Sequence, residues 1–288
     1  MQDLLENLNE PQRTAVTTTE GPVLVVAGAG SGKTRVITYR VAYLIGAMRV
    51  PPRNILAVTF TNKAAEEMRG RIHKLLGVTE LESWIGTFHA TCAQLLRREA
   101  GRLGYKSNFA IYDESDQSML VKHCMKKLSL PERDYNPNAV LSRISLAKSN
   151  MLSPAEFESG ASDYFEEEVA RVYKIYQRSL RENNAMDFDD LLNNALKVLV
   201  EHPDCLEKYQ GFFRYILVDE FQDTNRVQYD FLRRLAAEHQ NLCVVGDDDQ
   251  SIYSWRGANV ENLLDFQTDF PKTVAVFLEE NYRSTQLI

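Results

Sequence analysis

The sequence predicts an α/β fold, in which a parallel β-sheet is covered by helices on both faces and a mainly helical module is inserted into it. Three observations lead to this prediction. Short β-branched runs alternate with helical stretches in the first hundred residues, similar runs return after residue 214, and the region between about Ser115 and Leu199 is mostly helical in pattern. A length of 288 residues, about twice that of a typical domain, allows two compact units or one large sheet with an insertion.

The amino-terminal part of the sheet is predicted from two strand–helix pairs. Val23–Ala27 reads as a buried strand and is followed by a helical stretch at Lys33–Gly46. Ile55–Thr59 reads as a second strand, followed by a helical stretch at Lys63–Leu76. Because parallel neighbours need a crossover connection, this alternation predicts a parallel sheet with helices on both faces.

The remaining strands are predicted late in the chain. They are three short apolar runs at Tyr215–Asp219, Leu242–Gly246 and Val274–Leu278. We therefore expect residues 1–90 and 200–280 to form one core and residues 91–199 to form an inserted helical subdomain.

The inserted segment has helical periodicity that is interrupted by prolines. Pro131, Pro137 and Pro154 mark breaks between its elements. Within residues 169–180, apolar and aromatic side chains recur at helical spacing and predict a buried packing face, consisting of Val169, Val172, Tyr173, Tyr176 and Leu180.

Composition and charge exclude several classes of protein. Hydrophobic residues make up 44% and charged residues 25%, which is typical of a globular protein rather than a disordered or fibrous one. No apolar run is long enough to cross a bilayer, and the first nine residues lack the features of a signal peptide. Four scattered cysteines and five histidines without metal-ligand spacing predict reduced core thiols, no structural metal and a cytoplasmic location.

The net charge of −7 argues against nucleic-acid binding when it is taken alone. The charge is unevenly distributed, because residues 49–127 contain 13 Lys and Arg against 8 Asp and Glu. A local basic track is therefore compatible with the overall charge, and so is a solvated mixed surface.

A glycine-rich loop follows the first predicted strand, with the sequence Ala27-Gly-Ala-Gly-Ser-Gly-Lys-Thr34. Such a loop directs backbone N–H groups inward at the start of a helix, where they bind phosphates. The usual P-loop pattern begins with Gly, where this chain has Ala27, and the alternative is a glycine-rich turn that binds nothing. We predict that the loop binds the phosphates of a nucleotide through Gly28, Ala29, Gly30, Ser31, Gly32, Lys33 and Thr34.

Two acids follow a later strand, at Asp219 and Glu220. A carboxylate at a strand end provides a Mg²⁺ ligand, and we predict that Asp219 and the Thr34 hydroxyl hold this ion. The adjacent Glu220 is predicted to act as the general base on the attacking water. Paired acids at a strand end are often only a solvated cap, so the prediction depends on their combination with the loop.

These motifs, together with several others, resemble those of the UvrD/Rep/PcrA family of superfamily 1A DNA helicases. The resemblance is strongest in Asp219-Glu-Phe-Gln-Asp-Thr-Asn225 and in the segment from Val244 to Ala258. Five further segments match family motifs in order, and they are Leu8–Gln12, Thr59–Met68, Gly86–His89, Met186–Leu191 and Leu278–Ser284.

The resemblance implies a RecA-like fold and further roles at the nucleotide. Gln12 would read adenine, with a plain helix residue as the alternative, and Arg35 and Tyr282 would flank the base. Gln250 would sense the γ-phosphate, and Arg283 would stabilise the transition state as an arginine finger. The implied catalytic residues are Lys33, Glu220, Gln250 and Arg283.

The resemblance also implies a surface that binds single-stranded DNA. Trp255 and Phe60 would stack on bases, which tolerates any base sequence. Polar and aromatic neighbours would contact the strand, and they are Asn62, Lys63, Thr87, His89, Tyr253 and Arg256. Core packing is the alternative for Phe60 and His89. A purely structural role, joining the core to the insertion, is the alternative for Met186–Leu191, Thr224 and Asn225.

The resemblance finally implies that the chain is the amino-terminal lobe of a longer enzyme. Residues 1–90 and 200–280 would be its ATP-binding core (domain 1A), residues 91–199 its inserted subdomain (domain 1B), and residues 281–288 the start of a missing second RecA-like lobe. The enzyme would be a 3′–5′ helicase acting at junctions of single- and double-stranded DNA with repair or replication proteins, and the lobe alone would be nearly inactive. A non-catalytic platform and the motor of a helicase–nuclease are the alternatives, and the residues do not separate the Rep, UvrD and PcrA types.

Overall fold

The computed structural model describes residues 3–247 and 261–282. The chain divides into two compact units, one formed by the residues up to Thr91 and from His202 onward, and one by Cys92–Glu201. We call the first the sheet unit and the second the helical unit. The sequence placed the inserted subdomain at residues 91–199, and its assignment as domain 1B remains a prediction.

The described strands are short and are numbered in chain order. They are β1 (Val23–Ala27), β2 (Ile55–Thr59), β3 (Trp84–Thr87), β4 (Ala110–Ile111), β5 (Ala185–Met186), β6 (Tyr215–Val218), β7 (Leu242–Gly246) and β8 (Val274–Leu278).

The described α-helices are numbered in the same way. They are α1 (Asp3–Glu6), α2 (Glu10–Thr17), α3 (Lys33–Gly46), α4 (Asn62–Leu76), α5 (Phe88–Glu99), α6 (Glu114–Lys127), α7 (Pro137–Ser149), α8 (Pro154–Ser159), α9 (Tyr164–Glu182), α10 (Phe188–Glu201), α11 (Pro203–Phe212), α12 (Arg226–Ala236) and α13 (Glu261–Asp269). None of these helices is long and apolar enough to cross a membrane.

The sheet unit is organised around a six-stranded sheet with the order β3-β2-β6-β7-β1-β8. Every pairing in it is parallel. All residues of β2 and β7 are buried, so both faces of the sheet are covered. The predicted α/β class with a parallel, helix-covered sheet is therefore confirmed.

Three details of the sheet unit differ from the sequence prediction. Strand β3 was not predicted, because its four residues include Gly86, which weakens the strand pattern. Helix α4 begins one residue early, at Asn62, because the Thr61 hydroxyl accepts a hydrogen bond from the Ala64 N–H (3.1 Å) and caps it. Strand β6 ends at Val218, so Asp219 lies just beyond the strand.

The helical unit packs around the predicted apolar face of α9. Its residues Val169, Val172, Tyr173, Tyr176 and Leu180 are all buried, as the spacing indicates. Pro137 and Pro154 each begin a helix, where the missing N–H of proline costs nothing. The two-residue strands β4 and β5 pair in this unit and were not predicted.

A buried ion network lies within the helical unit. The Lys148 ammonium, which is 1% exposed, contacts Asp187 at 2.6 Å and Asp190 at 2.9 Å. Tyr176 donates a hydrogen bond to Asp187 (2.9 Å), and Gln177 donates to Asp190 (2.9 Å). Burial alone would lower the pKa of Lys148, but the attraction of both carboxylates outweighs burial and raises it. The lysine therefore stays charged, and the network joins α7 to the start of α10.

We expect Lys148→Ala to destabilise the helical unit by about 3–5 kcal/mol, because it leaves two buried carboxylates without their cation. Hydrogen exchange of the α9 and α10 amides measures this local loss of stability. The matched control is Lys174→Ala, which removes an exposed lysine of α9. Equal protection in the two variants would contradict a structural role for the network.

Candidate functional site

The glycine-rich loop and the acids beside it lie where parallel strands of the sheet unit end. The glycine-rich loop follows β1, Asp219 follows β6, and Asp247 follows β7, which lies between these two strands in the sheet. Because the carboxyl ends of parallel strands meet at one edge, the loop and the acids converge there.

The glycine-rich loop has the backbone geometry of an anion site. Gly30 and Gly32 have φ angles of 77° and 95°, which other residues rarely adopt. Gly32 caps α3 without a side-chain hydrogen bond, so the first N–H groups of this helix keep their capacity to bind an anion. A Cβ at Gly32 would lie 2.9 Å from Gln12 Nε2, so space also requires glycine there.

The loop is tied back on itself by Ser31. Its hydroxyl donates to the Gly28 carbonyl oxygen at 2.7 Å, and its N–H donates to the same oxygen at 3.3 Å. Ser31 is buried, whereas Gly28 and Ala29 are exposed. The hydrogen bonds from the buried Ser31 therefore fix the conformation of the exposed turn.

Lys33 lies beside two carboxylates. Its ammonium is 3.1 Å from Asp247 Oδ2 and 3.9 Å from Glu220 Oε2. Lys33 is 9% exposed and Asp247 is 3% exposed, so the closer pair is buried. A buried cation needs an anionic partner, and the acids provide it.

Asp219 is buried next to the loop. The Thr34 hydroxyl donates a hydrogen bond to its carboxylate, and the Glu220 N–H donates to Oδ1 at 3.1 Å. Burial, together with the neighbouring charge of Glu220, raises the pKa of Asp219 to about 6, against the opposing effects of Thr34 and Lys33. Hydroxyl and carboxylate oxygens are preferred Mg²⁺ ligands, so Thr34 and Asp219 form a pair that fits this ion.

Glu220 is held in an unusual conformation. Its φ of 52° lies in the left-handed region, which is uncommon for a residue other than glycine. Its side chain is 35% exposed, and its Oε2 accepts a hydrogen bond from Gln222 Nε2 at 2.7 Å. The carboxylate is therefore accessible and at the same time restrained.

Gln12 packs directly against the loop. It is 1% exposed, its Nε2 donates to the Ser31 carbonyl at 3.0 Å, and its Oε1 accepts from the Asn9 N–H at 3.3 Å. The second contact is part of a capping box at the start of α2. The residue thus supports the loop, and its predicted reading of adenine remains a prediction.

Arg35 and Tyr282 both contact the segment from Asn7 to Asn9. The Tyr282 N–H donates to the Gly30 carbonyl at 3.0 Å, and its hydroxyl accepts from Asn9 Nδ2 at 2.8 Å. The Arg35 guanidinium donates to the Asn7 carbonyl at 2.6 Å. Tyr282 is 56% exposed, so its ring offers a free face.

The residues predicted to contact DNA follow the two neighbouring strands β2 and β3. Phe60 is half-buried, and Asn62 and Lys63 are exposed in the first turn of α4. Thr87 is buried and accepts a hydrogen bond from the Ala90 N–H (3.2 Å), and His89 is half-buried in α5. Thr59 pairs with Thr87 across the two strands, so these groups share one part of the sheet edge.

Five predicted site residues lie outside the described residues, and they are Gln250, Tyr253, Trp255, Arg256 and Arg283. Two other residues at the site carried no predicted role, although both lie in motifs that the sequence analysis quoted. Asp247 is the first residue after β7, and Gln222 lies two residues after Glu220. The signal for Asp247 was its place after a buried strand, whereas a buried glutamine such as Gln222 has no distinctive sequence signal.

Comparison with known proteins identifies related chains. A family model described as the UvrD/REP helicase N-terminal domain matches residues 8–271. The ATP-dependent DNA helicases PcrA of Staphylococcus aureus and Staphylococcus epidermidis are each 48% identical to the chain over 288 residues. These matches cover 100% of the chain and 40% of each relative's length.

We expect Asp219→Asn to stabilise the metal-free protein above pH 6. The raised pKa means that the native state binds a proton between about pH 4 and pH 6 that the unfolded state has lost, so wild-type stability falls as the pH rises through 6. The variant lacks this loss, and the difference should reach about 3 kcal/mol in its favour at pH 7.5 and should shrink towards pH 4.

Urea unfolding in buffer containing a chelator, at pH 4.5 and pH 7.5, measures this difference. The matched control is Asp265→Asn, which changes an exposed carboxylate of α13. A stability gain that is independent of pH would contradict the burial of a charged Asp219.

Proposed function

Because this chain belongs to the UvrD/REP helicase family, we propose that it forms the ATP-binding lobe of an ATP-dependent DNA helicase. The observation that carries the proposal is the convergence of Lys33, Thr34, Asp219 and Glu220 at one edge of the sheet. Residues distant in sequence supply a phosphate cradle, a cation, a pair of metal ligands and an accessible carboxylate, which are the parts that phosphoryl transfer to water requires.

In this proposal the loop N–H groups and Lys33 bind the phosphates of ATP. Lys33 exchanges its contact with Asp247 for a phosphate oxygen, so that its charge is compensated before and after binding. Thr34 and Asp219 hold Mg²⁺, which neutralises phosphate charge. Glu220 accepts the proton of the attacking water, and the predicted Gln250 and Arg283 contribute at the γ-phosphate.

The base of the nucleotide is assigned to the region of Gln12, Arg35 and Tyr282. The Gln12 amide has one N–H beyond the one that binds Ser31, and we assign this second N–H to adenine. The exposed Tyr282 ring and the Arg35 guanidinium are planar groups suited to stacking on the base. Gln12 and Tyr282 both donate hydrogen bonds to carbonyl groups of the loop.

We assign single-stranded DNA to the part of the sheet edge beyond β2 and β3. Phe60 would stack on a base, and Asn62, Lys63, Thr87 and His89 would contact the strand. We also assign DNA contacts to Tyr253, Trp255 and Arg256, which lie outside the described residues. Because nucleotide and DNA would lie along one sheet edge, small shifts of the strand ends would affect both ligands.

The chain spans 40% of the length of the curated relatives, so the complete enzyme is part of the proposal. It comprises this lobe as domain 1A, the helical unit as domain 1B, and a second RecA-like lobe beginning near residue 281. We propose a cytoplasmic 3′–5′ helicase that acts at junctions of single- and double-stranded DNA with repair or replication proteins. The lobe alone should hydrolyse ATP very slowly, because charge stabilisation from the second lobe is absent.

We expect Lys33→Ala to lower the kcat of the DNA-stimulated ATPase of the complete enzyme by about 100-fold or more, because a cation facing the transferred phosphoryl group is lost. A coupled phosphate-release assay with Mg²⁺ and single-stranded DNA measures this. The matched control is Lys272→Ala, since Lys272 is exposed and precedes β8 at the opposite end of the strands.

Full activity of the Lys33 variant would contradict the proposed site. Absence of nucleotide binding to the wild-type enzyme at millimolar concentration would favour the non-catalytic platform instead.

We expect Phe60→Ala to weaken binding of single-stranded DNA by about 1–3 kcal/mol, because one stacking surface is lost. Fluorescence anisotropy with a labelled oligonucleotide of mixed sequence measures the change. The matched control is Phe277→Ala, which removes an exposed ring of β8. Lower stability with unchanged DNA affinity would instead assign Phe60 to packing.

A further inference from the structure

We propose that Gln222 is a positioning residue, which holds the Glu220 carboxylate by bridging it to the backbone at the end of β7. This inference rests on the proposed ATPase and adds a residue to it. Gln222 is 1% exposed and lies in the short 3₁₀-helix Phe221–Asp223 that follows β6. Its side-chain amide reaches both neighbouring strand ends.

The bridge consists of two hydrogen bonds in opposite directions. Gln222 Nε2 donates to Glu220 Oε2 at 2.7 Å, and Gln222 Oε1 accepts from the Asp247 N–H at 3.1 Å. A backbone N–H only donates, so it requires the amide oxygen on its own side. The orientation of the amide is therefore determined, and its donor faces the carboxylate.

The bridge closes a ring of polar contacts. Lys33 contacts Asp247 at 3.1 Å and lies 3.9 Å from Glu220, which completes the path from Glu220 through Gln222 and Asp247. When a phosphate oxygen binds Lys33, it replaces the contact between Lys33 and Asp247. The Gln222 contact does not involve Lys33, so it continues to restrain Glu220.

Glu220 needs such a restraint. Its side chain is 35% exposed, so packing alone does not select its rotamer. Its backbone has a φ of 52°, a conformation that the surrounding contacts must maintain. A general base acts only within hydrogen-bond reach of the proton it accepts, so a fixed donor on one carboxylate oxygen directs the other towards water.

Gly246 provides the space for the bridge. A Cβ at this position would lie 3.1 Å from Gln222 Oε1 and 3.4 Å from the Gln222 backbone nitrogen. Substitution by alanine would therefore displace the amide without removing it. Gly246→Ala is therefore a second variant that perturbs the bridge, and the change lies in the neighbouring strand β7.

The first experiment measures ATP hydrolysis and nucleotide affinity of the complete enzyme. We expect Gln222→Leu to lower kcat by roughly 10- to 100-fold, because the base is misplaced, while affinity for a non-hydrolysable ATP analogue with Mg²⁺ is unchanged. Gly246→Ala should show a smaller loss of the same kind. The matched control is Gln210→Leu, which removes a glutamine whose amide donates to the Arg234 carbonyl at 2.8 Å in the same unit.

The second experiment measures kcat for Gln222→Glu. This variant keeps an acceptor for the Asp247 N–H but has no N–H to donate to Glu220. We therefore expect kcat to fall about as far as in Gln222→Leu, with the affinity for the ATP analogue unchanged. A kcat equal to that of the wild type would show that the donor to Glu220 has no role and would overturn the inference.

The third experiment tests the bridge without nucleotide. Hydrogen exchange of the Asp247 amide should accelerate in Gln222→Leu and stay unchanged in Gln210→Leu, since only the first loses the acceptor. Unchanged exchange, or a kcat equal to that of the control, would overturn the inference. An inactive wild-type enzyme with accelerated exchange in the variant would instead reject the ATPase and retain the bridge.

Discussion

The site depends on the contacts of the buried Lys33 ammonium with two carboxylates. A cation that is 9% exposed is stable only beside negative charge, and the ends of β6 and β7 supply Glu220 and Asp247 for this purpose. The same carboxylates would repel a phosphate if Lys33 and the N–H groups of the loop did not outweigh them. The sheet order, which places β7 between β1 and β6, is what brings these opposing charges together.

The site contains a third acid, Asp219, beside the two that contact Lys33. Asp219 is buried beside the two carboxylates around Lys33, and burial raises its pKa to about 6 because the attraction of Lys33 offsets only part of the cost of burial. Such unfavourable burial is typical of functional sites, where a ligand relieves it. A divalent cation next to Thr34 and Asp219 would have this effect, so stability and metal binding are linked through one side chain.

The sequence predicted the parallel sheet, five of its six strands and the glycine-rich loop, because each depends on a local pattern. It did not predict β3, whose central Gly86 weakens the strand signal. It also missed the contacts of Gln222 with Glu220 and Asp247. Gln222 lies 25 residues before Asp247, and no sequence pattern indicates that a neutral amide contacts a residue so far along the chain. Contacts between strand ends depend on sheet order, and sheet order follows from packing of the whole unit.

The ion networks around Lys148 and Lys33 differ in a way that separates structure from function. In the helical unit, Lys148 and its carboxylates are almost completely buried, and Tyr176 and Gln177 provide further hydrogen bonds. That network is closed, and removing the lysine leaves two buried carboxylates without their cation. Around Lys33 the nearer acid is buried, but Glu220 is 35% exposed, so one face of the network is open to solvent and to a ligand. In the proposed function a phosphate replaces the partner of Lys33, and the feature that favours this role is visible only when burial and charge are considered together.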